Sequence, residues 1–261
     1  MLIGSDTRAL VTGASSGIGL ACAEALAARG ATVGMLARRE QPLAAAAERL
    51  GATALPADVT DPEALAGAIE TFAAPGGIDL LVANAGIAHY GPFADQPFEH
   101  AEQMIATNVT AVLRTAHLAL PGMMARARGH IVIVSSGAGL RAFPWAAAYG
   151  ATKAAEKGFA EALRHELSGT GVSVSTILPG EVATELHDHQ ADRMPDWRRP
   201  DEAVPASAIA DAVIAAVEGD RRQIAVPKQV RLLGLNGIAP ALTDRILSLI
   251  RGGSAAPRRR E

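Results

Sequence analysis

Residues 8–19 read RALVTGASSGIG, an apolar run that gives way to a turn holding Gly13, Gly17 and Gly19. A strand that ends in such a turn and opens a helix needs glycine for three reasons: a tight turn with positive φ, close approach of the backbone to a pyrophosphate, and close packing of helix on strand. The helix that follows offers unpaired N–H groups and a partial positive charge, which suit phosphate. The spacing, three residues and then one, departs from G-x-G-x-x-G, and alone the turn could be no more than a tight connection.

The same rhythm recurs along the chain. Apolar, β-branched runs stand at 31–37 (ATVGMLA), 53–59 (TALPADV), 78–84 (IDLLVAN), 130–136 (HIVIVSS), 172–178 (VSVSTIL) and 223–227 (QIAVP), with helical stretches between them. Strands that alternate with helices imply a parallel sheet, and runs that are apolar throughout imply strands covered on both faces. The expected fold is therefore α/β, a single-domain, doubly wound three-layer sandwich of Rossmann type, with a mainly parallel seven-stranded sheet over residues 1–250. The helical stretches 97–126 and 146–168 exceed what a crossover needs, so a homodimer or homotetramer is expected to pack on them, with core packing as the competing reading. The polar stretch 185–205, ELHDHQADRMPDWRRPDEAVP, breaks the rhythm and reads as a long substrate loop or short helices.

Charge and composition exclude several roles. With 24 Lys and Arg against 27 Asp and Glu, the net charge is −3, and no nucleic-acid or anionic-membrane partner is indicated. The last eleven residues, RGGSAAPRRRE, carry four arginines and one acid, which leaves 20 bases against 26 acids in the first 250 residues. This short basic tail is expected to be disordered. No run is long and apolar enough for a membrane span and no secretory signal is visible, so the expected compartment is the cytoplasm. Cys22 is the only cysteine, which excludes an intrachain disulfide, and it reads as a small buried apolar residue.

The second strand bears on the choice of nucleotide. It ends MLARRE, with Ala37 where an acid would bind a ribose 2′-hydroxyl and with Arg38 and Arg39 next. No carboxylate repels a 2′-phosphate there and a guanidinium can grip one, so NADP(H) is favoured over NAD(H). Asp58, in ADVTD, either accepts a hydrogen bond from an adenine amino group or helps cap the helix that begins near Pro62.

Residues 148–159, AYGATKAAEKGF, place Tyr149 and Lys153 one helical turn apart, in a chain with two tyrosines. A cation at that spacing is the simplest way to lower a phenol's pKa, because i and i+4 side chains share a helix face. Glu156 and Lys157, in the same string, read as solvent-facing helix charges.

Together, TGASSGIG at 12–19, ANAG at 83–86, Asn108, Ser135 and Ser136, Tyr149-x-x-x-Lys153 and PGEVAT at 179–184 resemble the short-chain dehydrogenase/reductase family, in matching order from about residue 7 to 227. The resemblance implies an NADP(H)-dependent oxidoreductase that moves a hydride between the cofactor and a carbonyl or secondary alcohol. It implies Tyr149 as general acid/base, Ser136 as the hydroxyl on the substrate oxygen, and Lys153 as the residue that holds the nicotinamide ribose and lowers the tyrosine pKa. Asn108 would order a water and relay protons to Lys153. Cofactor contacts would come from Gly13, Ser15, Ser16, Gly17, Ile18 and Gly19 in the first turn, Arg38, Arg39, Asp58 and Val59 at the adenosine end, and Asn84, Ala85 and Gly86 after the fourth strand. Tyr149, Lys153, Pro179, Gly180, Val182 and Thr184 would complete the nicotinamide end. Ala83 stands where the family often has a second asparagine, so slightly different stabilisation of the central strand is expected.

The expected substrate is a small apolar ketone, reduced rather than formed. Phe143, Pro144, Trp145, Leu186, Met194 and Trp197 would either wall the cleft or only pack the loop. The HDH triplet at 187–189 has no matching ligands elsewhere, so no metal is expected. Residues 228–250 would cover the cleft, build a dimer contact or lie on a membrane surface. A nucleotide-binding sensor or scaffold without turnover is the alternative function.

Overall fold

The computed structural model describes residues 1–186, 190, 194 and 203–250, for the last five the backbone alone. The tail, Trp197 and the HDH triplet lie outside the described residues.

Seven parallel strands form one sheet: β1 (Arg8–Thr12), β2 (Thr32–Ala37), β3 (Thr53–Pro56), β4 (Leu80–Ala83), β5 (Gly129–Val134), β6 (Val172–Pro179) and β9 (Gln223–Val226). Their order across the sheet is β3-β2-β1-β4-β5-β6-β9, with every pair parallel. Residues 182–183 and 204–205 add a two-stranded ladder, β7 and β8, that the sequence did not suggest. The helices are α1 (Gly17–Ala27), α2 (Glu40–Leu50), α3 (Pro62–Ala73), α4 (Phe98–Met104), α5 (Ala111–Ala125), α6 (Ala147–Glu166), α7 (Ala206–Glu218) and α8 (Pro240–Ile250).

Both faces of the sheet are covered, and successive strand residues divide between them. Val11, Val82 and Val132 face a core with Leu26 of α1 and Val213 and Val217 of α7. Their neighbours Leu10, Leu81 and Ile131 face the opposite core, with Leu65 and Phe72 of α3, Met123 of α5 and Leu163 of α6. Each such side chain contributes roughly 1.5–3 kcal/mol on burial. That double coverage explains why these runs are apolar throughout instead of alternating.

Strand order reverses between β1 and β4, and their carboxyl ends open the crevice where doubly wound folds bind ligands. The two ends are fastened by Thr12 and Asn84. The Thr12 hydroxyl accepts from the N–H groups of Asn84 and Ala85, each at 3.0 Å, and the Asn84 amide donates to the Thr12 carbonyl at 3.0 Å. Asn84 therefore joins β1 to β4 beside the turn, although Ala83 has no polar side chain to add.

The helical stretch after β4 is not uniform. Between α4 and α5 the residues Ile105–Thr110 form a π-helical turn, and Asn108 sits inside it. Such turns recur at functional sites because they displace a side chain from the regular helix face. Among the described residues no helix is long and apolar enough to cross a membrane.

Candidate active site

The turn after β1 folds as its glycines require. Gly13 and Gly17 take left-handed φ of +67° and +54°. A Cβ on Gly13 would lie 3.0 Å from Asn84 and from Ala85, and one on Gly17 would lie 3.1 Å from Thr184. The turn is thus pressed between the β4 end and the segment after β6. Ser16 occupies the N-cap of α1 without capping it, so the first-turn N–H groups face the cleft without a side-chain partner at the cap.

A cleft of about 560 Å³ opens above this turn. Its walls bring together residues distant in sequence: Gly13, Ser16, Gly17, Ile18 and Arg39 at one end, Asn84, Ala85 and Gly86 in the middle, and Ser136, Tyr149 and Lys153 with Pro179, Gly180, Val182 and Thr184 at the other. Not every expected residue lines it. Gly19 is buried against the Gly13 carbonyl and serves packing. Val59 is buried, and Asn108 stands one layer behind the wall. Arg38 and Asp58 line a separate shallow recess with Pro56, Ala57 and Ala64.

The two arginines part company. Arg38, largely exposed, lies 3.6 Å from Asp58. Arg39 turns into the cleft, donating to the hydroxyls of Ser16 at 2.6 Å and Ser15 at 3.4 Å, and meets Glu185 at 3.3 Å. Burial pushes the Asp58 carboxyl up, but hydrogen bonds from the Thr60 N–H and hydroxyl and the charge of Arg38 outweigh it and hold it below its ordinary value. Capping of α3 belongs to Asp61, which accepts from Glu63 and Ala64 N–H at 3.0 and 3.1 Å.

At the other end, Tyr149 is buried at 8% exposure, its ring tilted against Tyr90 with centroids 5.8 Å apart. The Lys153 ammonium lies 5.8 Å from the Tyr149 ring centroid. The two serines after β5 divide their work. Both line the cleft, but Ser136 accepts from Ala138 N–H at 3.1 Å, whereas Ser135 donates to the Lys153 carbonyl at 2.8 Å and so fixes α6.

Asn108 holds the back of the site. It accepts from Ile87 N–H and donates to Ile87 C=O, both at 2.9 Å, and donates to Thr152 at 3.0 Å. These bonds spend its carboxamide on the loop after β4 and on α6, so the side chain positions rather than faces the cleft.

One reading from sequence is wrong. Glu156 does not face solvent: its side chain is 1% exposed and both oxygens take the Lys153 ammonium, at 2.8 and 3.1 Å. Burial pushes its carboxyl up to about 7 against the pull of Lys153 and of the neighbouring Ser135 hydroxyl. Lys157 is half-buried and pairs with Glu161 at 2.8 Å.

The apolar wall is partly as expected. Phe143 and Leu186 line the cleft and Met194 packs against the cluster of Tyr90 and Tyr149. Pro144 is exposed, and Trp145, at φ +68°, contributes its carbonyl, which accepts from Gly91 N–H at 2.9 Å. Val230 and Leu233, in a 3₁₀ segment at Lys228–Gly237, line another side of the cleft, while Leu232, Leu235, Ile238 and Leu242 of the same extension are exposed. Gln190 was not foreseen: it is buried, accepts from Tyr90 N–H at 2.9 Å and donates to Ala88 C=O at 2.7 Å. Cys22 is buried as expected, its thiol pushed up to about 12 by burial. Among the described residues no cluster could hold a metal.

Comparison with known proteins agrees with this geometry. The family described as short chain dehydrogenase matches residues 7–195. An uncharacterized oxidoreductase of Myxococcus xanthus is 45% identical over 188 residues, 70% of this chain and 74% of that one. The 3-oxoacyl-[acyl-carrier-protein] reductase of Escherichia coli is 37% identical over 181 residues, 68% of this chain and 74% of that one. The chain spans only 15% of the length of another relative, a glycine betaine reductase of Emericella nidulans, at 38% identity. Among solved structures, a short-chain dehydrogenase of Sphingobium yanoikuyae in complex with NADPH is 32% identical, with TM-score 0.78 over 97% of this chain and 100% of that one. A Burkholderia phymatum family member in complex with NAD, 24% identical, shares the fold, with TM-score 0.84 over 93% of this chain and 97% of that one. With its reversal-point cleft, its tyrosine and lysine one turn apart and a family match over most of its length, the chain belongs to the short-chain dehydrogenase/reductase family of oxidoreductases.

Proposed function

We propose that the protein is an NADP(H)-dependent reductase of a small apolar ketone, with Tyr149 as the proton donor. One observation carries the reading: Ser136, Tyr149 and Lys153 converge on the cleft that the glycine turn also lines. The Escherichia coli relative's name, a 3-oxoacyl reductase, supports reduction of a ketone.

The residues present fit a nicotinamide dinucleotide. Side chains on Gly13 or Gly17 would fill the cradle, and the uncapped start of α1 suits a pyrophosphate. When bound, the nicotinamide supplies the hydride. Tyr149 donates its hydroxyl proton to the substrate oxygen, and Ser136 donates a hydrogen bond to the same atom. Two fixed hydroxyls in the cleft stabilise the negative charge that develops there. The Lys153 ammonium, near the phenol, favours the phenolate left after transfer. Phe143, Leu186, Val230 and Leu233 support an apolar substrate.

NADPH consumption against a panel of aliphatic, cyclic and aromatic ketones tests the proposal. Turnover that favours the apolar members is expected; binding of NADPH without oxidation across the panel would favour the sensor or scaffold instead.

For the cofactor, Arg39 is the stronger candidate to grip a 2′-phosphate, because its guanidinium lies in the cleft between Ser16 and Glu185, where a phosphate would replace the Glu185 carboxylate, with Arg38 beside it on Asp58. Arg39→Ala is expected to weaken NADPH binding by about tenfold, from the loss of a charge-assisted hydrogen bond, and to leave NADH binding nearly unchanged. Arg38→Asp should move the ratio of kcat/KM toward NADH. Fluorescence titration and kinetics with both cofactors read the outcome; equal losses for both would remove the assignment to NADP(H).

We read residues 1–250 as a single catalytic domain. The exposed apolar side chains Ile105 and Leu113, on the long helical run, support a homodimer or homotetramer.

A further inference from the structure

The carboxylate of Glu156 lies against the Lys153 ammonium inside the protein, with both oxygens engaged and the pair almost without exposure. An ion pair in this position costs several kcal/mol of desolvation per ion, so it is poor evidence for a stabilising role. Its location points elsewhere. Tyr149, Lys153 and Glu156 follow one another at helical spacing on the buried face of α6, and the Lys153 ammonium lies 5.8 Å from the Tyr149 ring centroid.

We propose that Glu156 is a positioning residue of the proton-transfer centre: its carboxylate holds the Lys153 ammonium and offsets part of the positive charge that acts on Tyr149. The inference rests on the reading of Tyr149 as proton donor. Lysine and glutamate together are neutral when both are charged and carry a net positive charge when the glutamate takes a proton. The acidity of Tyr149 therefore follows the protonation of Glu156, strengthening as Glu156 becomes neutral.

Among the described residues, the elements packed on this stretch of α6 bring no other charged group against the pair. The Ser135 hydroxyl and the Val134 carbonyl, which accepts from Lys153 at 3.3 Å, face the pair from the end of β5. His130, also on β5, bonds Ser175. The π-helical turn, residues 137–139 and β6, all packed on α6, carry no ionisable side chain. From α4 come Glu99 and Glu102, both exposed, and His100, stacked on His89. Burial places the Glu156 carboxyl near 7, so its protonation changes within the working range of an enzyme.

The test needs neither substrate nor cofactor. The chain has two tyrosines, so in a Tyr90→Phe background the ultraviolet absorbance of tyrosinate reports Tyr149 alone. Adding Glu156→Gln, which keeps shape and removes charge, is expected to lower the Tyr149 titration midpoint by about one pH unit. Glu156→Asp, which keeps the charge, should restore most of the difference. A midpoint that is unchanged or raised in Glu156→Gln overturns the proposal, since a merely structural glutamate would lower the melting temperature without moving it. If Glu156→Gln does not fold, the ¹³Cζ resonance of Tyr149 in the Tyr90→Phe protein decides: a second inflection near pH 7, from Glu156, supports the coupling and its absence overturns it. Failure of the ketone panel would leave this titration standing, and failure of the titration would leave the reductase reading standing.

Discussion

Tyr149→Phe is expected to cut turnover by about 10²–10⁴-fold while NADPH binding stays nearly intact. The substitution removes one oxygen and little else. The ring keeps its contacts in the cluster with Tyr90, Met104 and Ala146. The backbone carbonyl of residue 149 still accepts from Thr152 at 2.8 Å, so α6 and the Asn108 network behind it are undisturbed. The lost proton donor cannot be replaced by Ser136, whose hydroxyl is too weak an acid to transfer a proton at neutral pH. Steady-state NADPH oxidation measures the first quantity and fluorescence titration the second. Turnover equal to the parent enzyme would remove Tyr149 from the proposed role, and a parallel loss of cofactor binding would show that the hydroxyl holds the cofactor as well as the substrate oxygen.

The fold was legible because strand coverage leaves a simple mark: runs such as HIVIV can be buried on both sides only in a sheet with helices on each face. The glycine turn and the tyrosine-lysine pair were legible because each function is local, set by residues within one turn of chain. Where contacts are between distant segments, the sequence is silent. Gln190 reaches Tyr90 and Ala88 across a hundred residues, and nothing in ELHDHQADR marks it. Arg38 and Arg39 are adjacent, and only the course of the chain past β2 sends the second into the cleft.

Glu156 is the instructive error. A charged residue on an alanine-rich helix is ordinarily on the wet face, and its neighbour Lys157 reinforced that reading. Yet Glu156 stands three residues beyond Lys153 and seven beyond Tyr149, on the same stripe as the buried Ala160 and Leu163. Once Tyr149 is placed on the inward face, helical periodicity carries Glu156 inward with it. On this helix the phase of Glu156, not its polarity, decides the face it takes.

That buried pair gives the second large effect. Lys153→Met should reduce turnover by about 10²-fold or more, since the cation that favours the phenolate is lost. It should also destabilise the protein, by up to about 3–5 kcal/mol at pH above neutrality, where Glu156 is left as an uncompensated buried charge. The direction with pH follows from the carboxyl's raised value. A carboxyl held above its unfolded value, here about 7 against 4.5, contributes stability that is fully present below pH 4.5 and is lost as pH rises through about 7. Without Lys153 to lower it, the Glu156 carboxyl titrates higher still, so the variant's deficit should be largest above neutrality and should shrink as acid protonates the group. Adding Glu156→Leu to Lys153→Met removes the stranded charge and fills the space, and should recover most of the stability while activity stays low. Thermal melts of the parent and both variants from acid to alkaline pH give the comparison, with NADPH oxidation alongside. A Lys153→Met protein as stable as the parent at every pH would mean that Glu156 is not buried as a charge beside it, and recovery of turnover in the double variant would mean that Lys153 acts only by satisfying Glu156.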